Sequence, residues 1–433
     1  MKQILSALSF FLLVCSWPAQ AVLDVEITQG TEDALPIAIV PFNWSGAPVA
    51  AGAATQPDMK WAEVISSDLL RSGRFAPVAE NDLLSRPQSA ENLDFKTWRV
   101  GGIDHLVIGS VSAAGVNQYT VQFQLFDVLK GEQLLGYSFT TSSLRRTAHH
   151  ISDLIYQQLT GQKGAFNTKV AYVTVSRELG TASYKLEVSD ADGYNPVTIL
   201  TSTQPIMSPS WSPDGSQLAY VSFENKRAQI FTQILATEQR TPLSTFKGLN
   251  GAPVWSPDGK QLAMTLSKDG NPDIYVLNLQ DKALTRITRH WGIDTEPAWM
   301  PDSKTLVFTS NRSGKPQLYQ FTQAGQRPQR LTFEGEYNAS AEISKDGLKM
   351  AFVYKDKSGF KIASMDLETG IMDVLTDGPL DESPSFAPNG SMILYAEGQR
   401  GALAAVSFDG RFKQRLVARD GEVREPSWSP FSK

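Results

Sequence analysis

Four aspartates, Asp214, Asp258, Asp302 and Asp346, recur at intervals of 44 residues, and Asn389 continues the series. A carboxylate repeated at such a period invites Ca²⁺ ligation. Each, however, sits in a Pro-Asp-Gly turn or a close variant, where the side chain bonds its own backbone and the next residue takes positive φ, so turn geometry explains it without an ion. Tryptophans just upstream could stack a sugar or a base. Their position is also filled by Ile343 and Phe386, which marks it as packing between repeats. The histidines, His105, His149, His150 and His290, form no HExxH pattern, and no second cysteine stands near them to complete a zinc site. Adjacent His149 and His150 point to different sides of a helix, one to the core and one to the surface. No Gly-x-Ser-x-Gly elbow occurs, so a serine hydrolase is disfavoured. No catalytic residue, cofactor or metal ligand is assigned.

The elements that carry these residues follow from the repeat. WSPDG at Trp211–Gly215 returns at Trp255–Gly259, and the aligned bulky residues are Trp211, Trp255, Trp299, Ile343, Phe386 and Trp428, spaced by 44, 44, 44, 43 and 42. That is the length of a four-stranded propeller blade. Each unit reads as a short strand, a turn, an apolar strand such as Leu218–Val221, a third strand such as Ile274–Leu277, and a fourth near Arg286–Thr288 or Arg330–Thr332. Strand-forming runs at Lys169–Val173, Tyr184–Val188 and Val197–Leu200 lack a first strand, and the segment Arg424–Pro430 supplies one, so the two chain ends build a shared sixth blade. Residues 164–433 therefore read as an all-β six-bladed propeller closed by its C-terminal strand.

Residues 22–163 read as a small α/β domain. One amphipathic helix begins near Asp58, aligns Trp61, Val64, Ile65 and Leu69, and ends at Gly73; a second runs from Leu144 to Leu159 with Ala148, Ile151, Leu154 and Ile155 on one face and Gly161 as its cap. Between them lie the strand Leu106–Ile108 and a hairpin pairing Tyr119–Phe126 with Gln133–Phe139.

The first 21 residues have Lys2, an apolar run from Ile4 to Val14 and an Ala19-Gln20-Ala21 ending, the pattern of a cleaved signal peptide with the mature start at Val22. Val14 before Cys15 argues against lipid attachment there. The 433 residues carry 40 basic and 45 acidic side chains, with 41% hydrophobic and 20% charged composition. Removing Lys2 leaves 39 basic residues and a net charge of −6, which argues against nucleic acid as a partner. No later run is apolar for the roughly 20 residues a membrane span needs. The expected location is the periplasm, and the expected state a monomer.

The whole mature chain resembles the TolB family of the bacterial Tol-Pal system. The resemblance rests on the WSPDG propeller behind an α/β domain and on the strings Pro36–Phe42, Leu159–Phe166, Asn250–Pro253, Thr295–Pro297 and Asp409–Lys413. It departs where Ser344-Lys345-Asp346 replaces Ser-Pro-Asp and where Ser303 replaces Gly. The resemblance implies a non-enzymatic scaffold that binds the lipoprotein Pal through the propeller and TolA through the N-terminus, with other outer-membrane proteins as further partners, supporting outer-membrane integrity and constriction at division. Leu23, Val25 and Ile27 alternate with Asp24, Glu26 and Thr28, so Val22–Thr28 forms a strand able to extend a sheet of TolA, or else packs on its own domain. Pal is expected at the channel mouth, on loops leading into each innermost strand: Asn250, Gly251, Ala252, Thr295, Glu296, Asn338, Glu382, Ser383 and Glu425. Gln204, Asp294, Ala339, Asp381 and Arg424 occupy the same ring, whose acids would steer a complementary partner. A periplasmic propeller enzyme of lyase or peptidase type is the alternative.

Overall fold

The computed structural model of the chain describes residues 24–29, 33–45, 56–178, 180–322, 327–417 and 421–432. Residues 1–21, read from the sequence as a signal segment and including Cys15, lie outside them with Val22 and Leu23.

The N-terminal domain is a mixed sheet in the order Phe75–Pro77, Leu35–Ile39, His105–Gly115, Gln118–Asp127, Glu132–Thr141, with Asn43–Trp44 beside the third strand. Helix α1 (Trp61–Arg71) starts three residues later than the sequence suggests. Helix α2 (Phe95–Val100) covers one face of the sheet through Trp98, against Leu106 and Phe126. Helix α3 (Leu144–Thr160) joins α1 on the other face, where Ile65, Leu69, Ile151 and Ile155 pack on Ile37, Val107 and Phe123. Gly161 ends α3 at φ 74°, donating to the Gln157 carbonyl at 2.9 Å. Its missing Cβ would meet nothing within 4 Å, so only backbone strain opposes a side chain. Gly161→Ala should therefore cost about 1 kcal/mol in denaturant unfolding, with the slope unchanged.

Six antiparallel sheets follow as blades 1 to 6, each of four strands, with a fifth strand added to blade 5. Their innermost strands are Ile206–Trp211, Asn250–Trp255, Asp294–Trp299, Tyr337–Ile343, Asp381–Phe386 and Glu422–Trp428. The last pairs with Lys169–Glu178, joining the chain ends in blade 6. Trp211, Trp255 and Trp299 are buried. Trp211 Nε1 donates to the Ser427 carbonyl of blade 6 at 2.9 Å, and Trp299 Nε1 to Val254 of blade 2 at 3.2 Å, so these rings fill the seams between blades.

The turn aspartates act locally. Asp258 Oδ1 accepts from Ser256 Oγ at 2.6 Å and Lys260 N at 3.0 Å. The variant turns keep this geometry: Asp346 accepts from Ser344 Oγ and Leu348 N, and Ser303 takes φ 55° where the other turns have glycine.

Candidate functional site

Backbone direction along each innermost strand decides which mouth residues are free. One residue at the start of each strand turns into the blade. Asn250 and Asn338 are fully buried, as are Asp294 and Asp381. Asn250 Oδ1 accepts from Ser244 Oγ at 2.6 Å, and its amide donates to the carbonyls of Ala228, Phe246 and Gly248. The Asn338 amide donates to Glu334 O at 2.7 Å and Gln317 Oε1 at 2.9 Å. The buried side chains of these two residues peg the incoming loops. Asp294 is no source of steering charge, because Arg312 Nη2 bridges both its oxygens at 2.9 and 2.8 Å.

The residue two places further on does line the opening. In every blade the ladder skips two residues there, as between Gly251 and Val254 or Thr295 and Ala298, and the skipped position has positive φ: Ser208, Ala252, Glu296, Ser340, Ser383 and Glu425, at 45° to 56°. These bulges belong to the innermost strands themselves, so the ring is not built of loops as the sequence suggests. Six non-glycine residues in the left-handed region form a ring of strained backbone, each costing of order 1–2 kcal/mol, and such strain concentrates at functional sites.

Two bulges clasp their neighbours. Glu296 Oε2 accepts from Ser340 N at 2.9 Å and Thr309 Oγ1 at 2.8 Å, and Glu425 Oε2 accepts from Ser208 N at 3.3 Å. Each carboxylate thus joins consecutive blades at the bore. Glu382 is exposed beside them, Gly251 and Ser383 are half-buried, and the Thr295 hydroxyl lies 3.3 Å from that of Thr265.

Sequence reasoning missed two features of this surface. Glu342 projects into the channel, a cavity of about 670 Å³ it shares with Glu296, Glu382 and Glu425; burial pushes its carboxyl up to about 7. Glu425 also rises to about 7, from burial and then from Glu382 and Glu296, against the Ser208 N–H. Both folded values lie above the ordinary carboxylate value of 4.5. Their contribution to stability is fully present below 4.5 and is lost as pH rises towards 7. Glu342→Gln should flatten the fall in Tm over that window, as a pH series of thermal melts would record. The second feature is an apolar collar on the loops between blades: Leu249, Trp291, Ile293, Phe333 and Leu380, with Trp291 77% and Phe333 73% exposed. An aromatic residue in each of two consecutive interblade loops was the available signal.

Residues 156–432 match the family model of the TolB β-propeller domain, and residues 23–134 that of the TolB amino-terminal domain. The chain belongs to the TolB family. It is 56% identical over 430 residues to the Tol-Pal system protein TolB of Thioalkalivibrio sulfidiphilus, covering 98% of each chain, and 57% identical over 423 residues to that of Nitrosococcus oceani, covering 96% of each. The crystal structure of TolB from Acinetobacter baumannii is similar with a TM-score of 0.85 at 41% identity, over 94% of this chain and all of that one.

In this member of the TolB family the strand Asp24–Gln29 lies neither free nor on its own domain. It pairs antiparallel with Lys413–Val417, the outer strand of blade 5, in the register Asp24↔Val417 to Ile27↔Gln414. The α/β domain sits on the propeller face opposite the mouth. There Gln162 Nε2 donates to Asn389 O at 2.6 Å, the Asn389 amide donates to Lys163 O at 2.9 Å, and Gly73 approaches the Phe412 ring so closely that a Cβ would come within 2.5 Å of it.

A buried charge cluster completes that interface. His149 Nδ1 is 2.7 Å from Asp68 Oδ2, and its Nε2 is 3.6 Å from Asp192 of blade 6. Donor atoms of these three residues lie within 4.8 Å of one another, yet Arg71 holds Asp68 Oδ1 at 2.9 Å and Arg145 pairs with Asp192. Two guanidinium groups on its carboxylates suit an ion-pair network and oppose a divalent cation. His150, as expected from the sequence, sits further out, with its ring on Phe139. Among the described residues no helix is long and apolar enough to cross a membrane.

Proposed function

We propose that the chain is a non-enzymatic periplasmic scaffold of the Tol-Pal system. It captures Pal at the channel mouth and engages TolA through Val22–Thr28, linking the outer membrane to the inner-membrane machinery that supports envelope integrity and constriction at division. The reading rests chiefly on the mouth: a ring of six equivalent bulges, floored by carboxylates and rimmed by exposed Trp291 and Phe333, lies on the face the α/β domain leaves open. Small residues on the ring permit close approach, the collar supplies apolar area to bury, and the acids at Glu296 and exposed Glu382 set a negative potential. Gly251, Ala252, Thr295 and Ser383 are the contact residues, with Asn250 and Asn338 holding the loops behind them.

Interfaces concentrate their energy in a few central residues, so a bulky cation at the ring should be costly. Ala252→Arg or Thr295→Arg should weaken Pal binding by roughly 2 kcal/mol, about 30-fold in Kd. Lys260→Ala, at a turn on the opposite face, should leave it unchanged. Calorimetric titration with the soluble domain of Pal checks this; ring variants that melt normally and bind Pal as tightly as the parent overturn the mouth assignment.

A further inference from the structure

His149 is 2% exposed, and its two ring nitrogens face carboxylates from different domains. Asp68 belongs to α1 of the α/β domain, whereas Asp192 belongs to the turn between the last two strands of blade 6, Thr181–Asp190 and Val197–Ser202. Nε2 is buried and has no hydrogen-bond partner closer than the Asp192 carboxylate. We propose that His149 is a protonation-dependent latch between the α/β domain and the propeller: the imidazolium ties Asp68 to Asp192, and the neutral ring releases the propeller side.

The asymmetry follows from tautomer chemistry. A neutral imidazole has one N–H, and the 2.7 Å contact to Asp68 keeps that proton on Nδ1. Nε2 then presents a lone pair to Asp192 Oδ2 across 3.6 Å of buried space. Two acceptors facing each other away from water repel, so loss of one proton to solvent turns an interdomain attraction into a penalty.

The surrounding charges set the direction. Burial disfavours the imidazolium, but Asp68 and then Asp192 outweigh it, with Arg71 opposing, and the net shift is upward from 6.5. The same arrangement holds Asp68 down at about 2: burial would raise it, but His149 and Arg71 prevail. The latch is therefore fully engaged below 6.5 and is lost as pH rises through the raised folded value. Asp153, the other titrating group facing the cluster from α3, is raised to about 6 by burial. Arg145 also reaches Asp192 from α3, with its guanidinium stacked 4.0 Å over Tyr194. Release accordingly loosens the blade 6 side of the interface. The Gln162–Asn389 contact at blade 5 remains as a pivot.

The test uses the mature protein with one spin label on an exposed site of the α/β domain and one on blade 2. Pulsed dipolar distances are measured from pH 5.5 to 8.5, beside an NMR titration of the histidine Hε1 signals assigned with His149→Gln. The expected result is a narrow distance distribution at low pH that broadens along the His149 titration, at a midpoint above 6.5, and a broad, pH-independent distribution in His149→Gln. Asp192→Asn, which leaves the His149–Asp68 pair intact, should lower the midpoint and broaden the low-pH distribution. Should His149→Gln fold poorly, the His149 midpoint decides: it must fall in Asp192→Asn relative to the parent, whatever the accompanying loss of the Arg145 pair does to the distances. Identical pH profiles in parent and variants, or a His149 midpoint at or below 6.5, overturn the proposal.

Discussion

Deleting Arg424–Lys433 should abolish the sharp thermal transition of the propeller. The strand Glu422–Trp428 is the innermost member of blade 6, with Arg424 opposite Val173, Ser427 opposite Ala171 and Trp428 opposite Val170. Its loss exposes the edge of Lys169–Glu178, whose Val170, Ala171 and Val173 are at most 3% exposed. It also removes bonds across both seams. Trp428 N donates to Ser385 Oγ of blade 5 at 3.0 Å, Trp428 Nε1 to Thr168 Oγ1 at 2.8 Å, and Trp211 Nε1 of blade 1 loses the Ser427 carbonyl. Truncating a fully buried aromatic residue costs about 3–5 kcal/mol, and partly buried Trp428 contributes a fraction of that. With the strand bonds added, the loss should exceed roughly 5 kcal/mol and lower Tm by about 10 °C or more. The open edges should also promote aggregation. Calorimetry of the truncated chain decides: a transition at the parent temperature and sharpness would mean that blade 6 is not needed to hold the ring.

The repeat made the propeller legible because blade geometry is local. A Pro-Asp-Gly turn and alternating strands carry their own signals within 44 residues, and Trp211, Trp255 and Trp299 mark three of the six seams. The small α/β domain was legible for the same reason, through the apolar stripes of Trp61–Leu69 and Ala148–Ile155. What failed to show was the direction of side chains near irregular backbone. The six bulges shift the alternation by one residue, so Asn250 and Asn338 turn inward while Ala252 and Glu296 turn to the bore. A residue before proline in five of the six blades was the only local trace of that kink. Partners distant in sequence were invisible altogether. His149 meets Asp68 across 81 positions and Asp192 only through the docking of two domains, and Asp24–Gln29 finds its sheet edge nearly 400 residues away.

That last pairing shapes the second large effect. Removing Val22–Thr28 should abolish TolA binding and leave Pal binding at the parent Kd, because the strand lies on the outer rim of blade 5 and the mouth is formed by innermost strands. Blade 5 is the only blade with a fifth strand among the described residues, and the outer strands of blades 2, 3 and 4 span only three, two and three residues. Lys413–Val417 is long enough to accept an added strand, and among the described residues no strand pairs with the far edge of Asp24–Gln29. TolA could therefore extend blade 5 through that edge or take the segment into its own sheet. Either route uses main-chain bonds of these same residues, so the deletion removes both. A six-residue outer strand whose partner strand already belongs to a four-stranded blade adds little to global stability, and Tm should fall by no more than a few degrees. Titrating the deleted and full-length proteins with the C-terminal domain of TolA and with the soluble domain of Pal separates the two sites. Retained TolA binding refutes the N-terminal assignment. Parallel loss of both partners would instead mean that the strand supports the fold of the whole propeller, and the accompanying melt would record that loss directly.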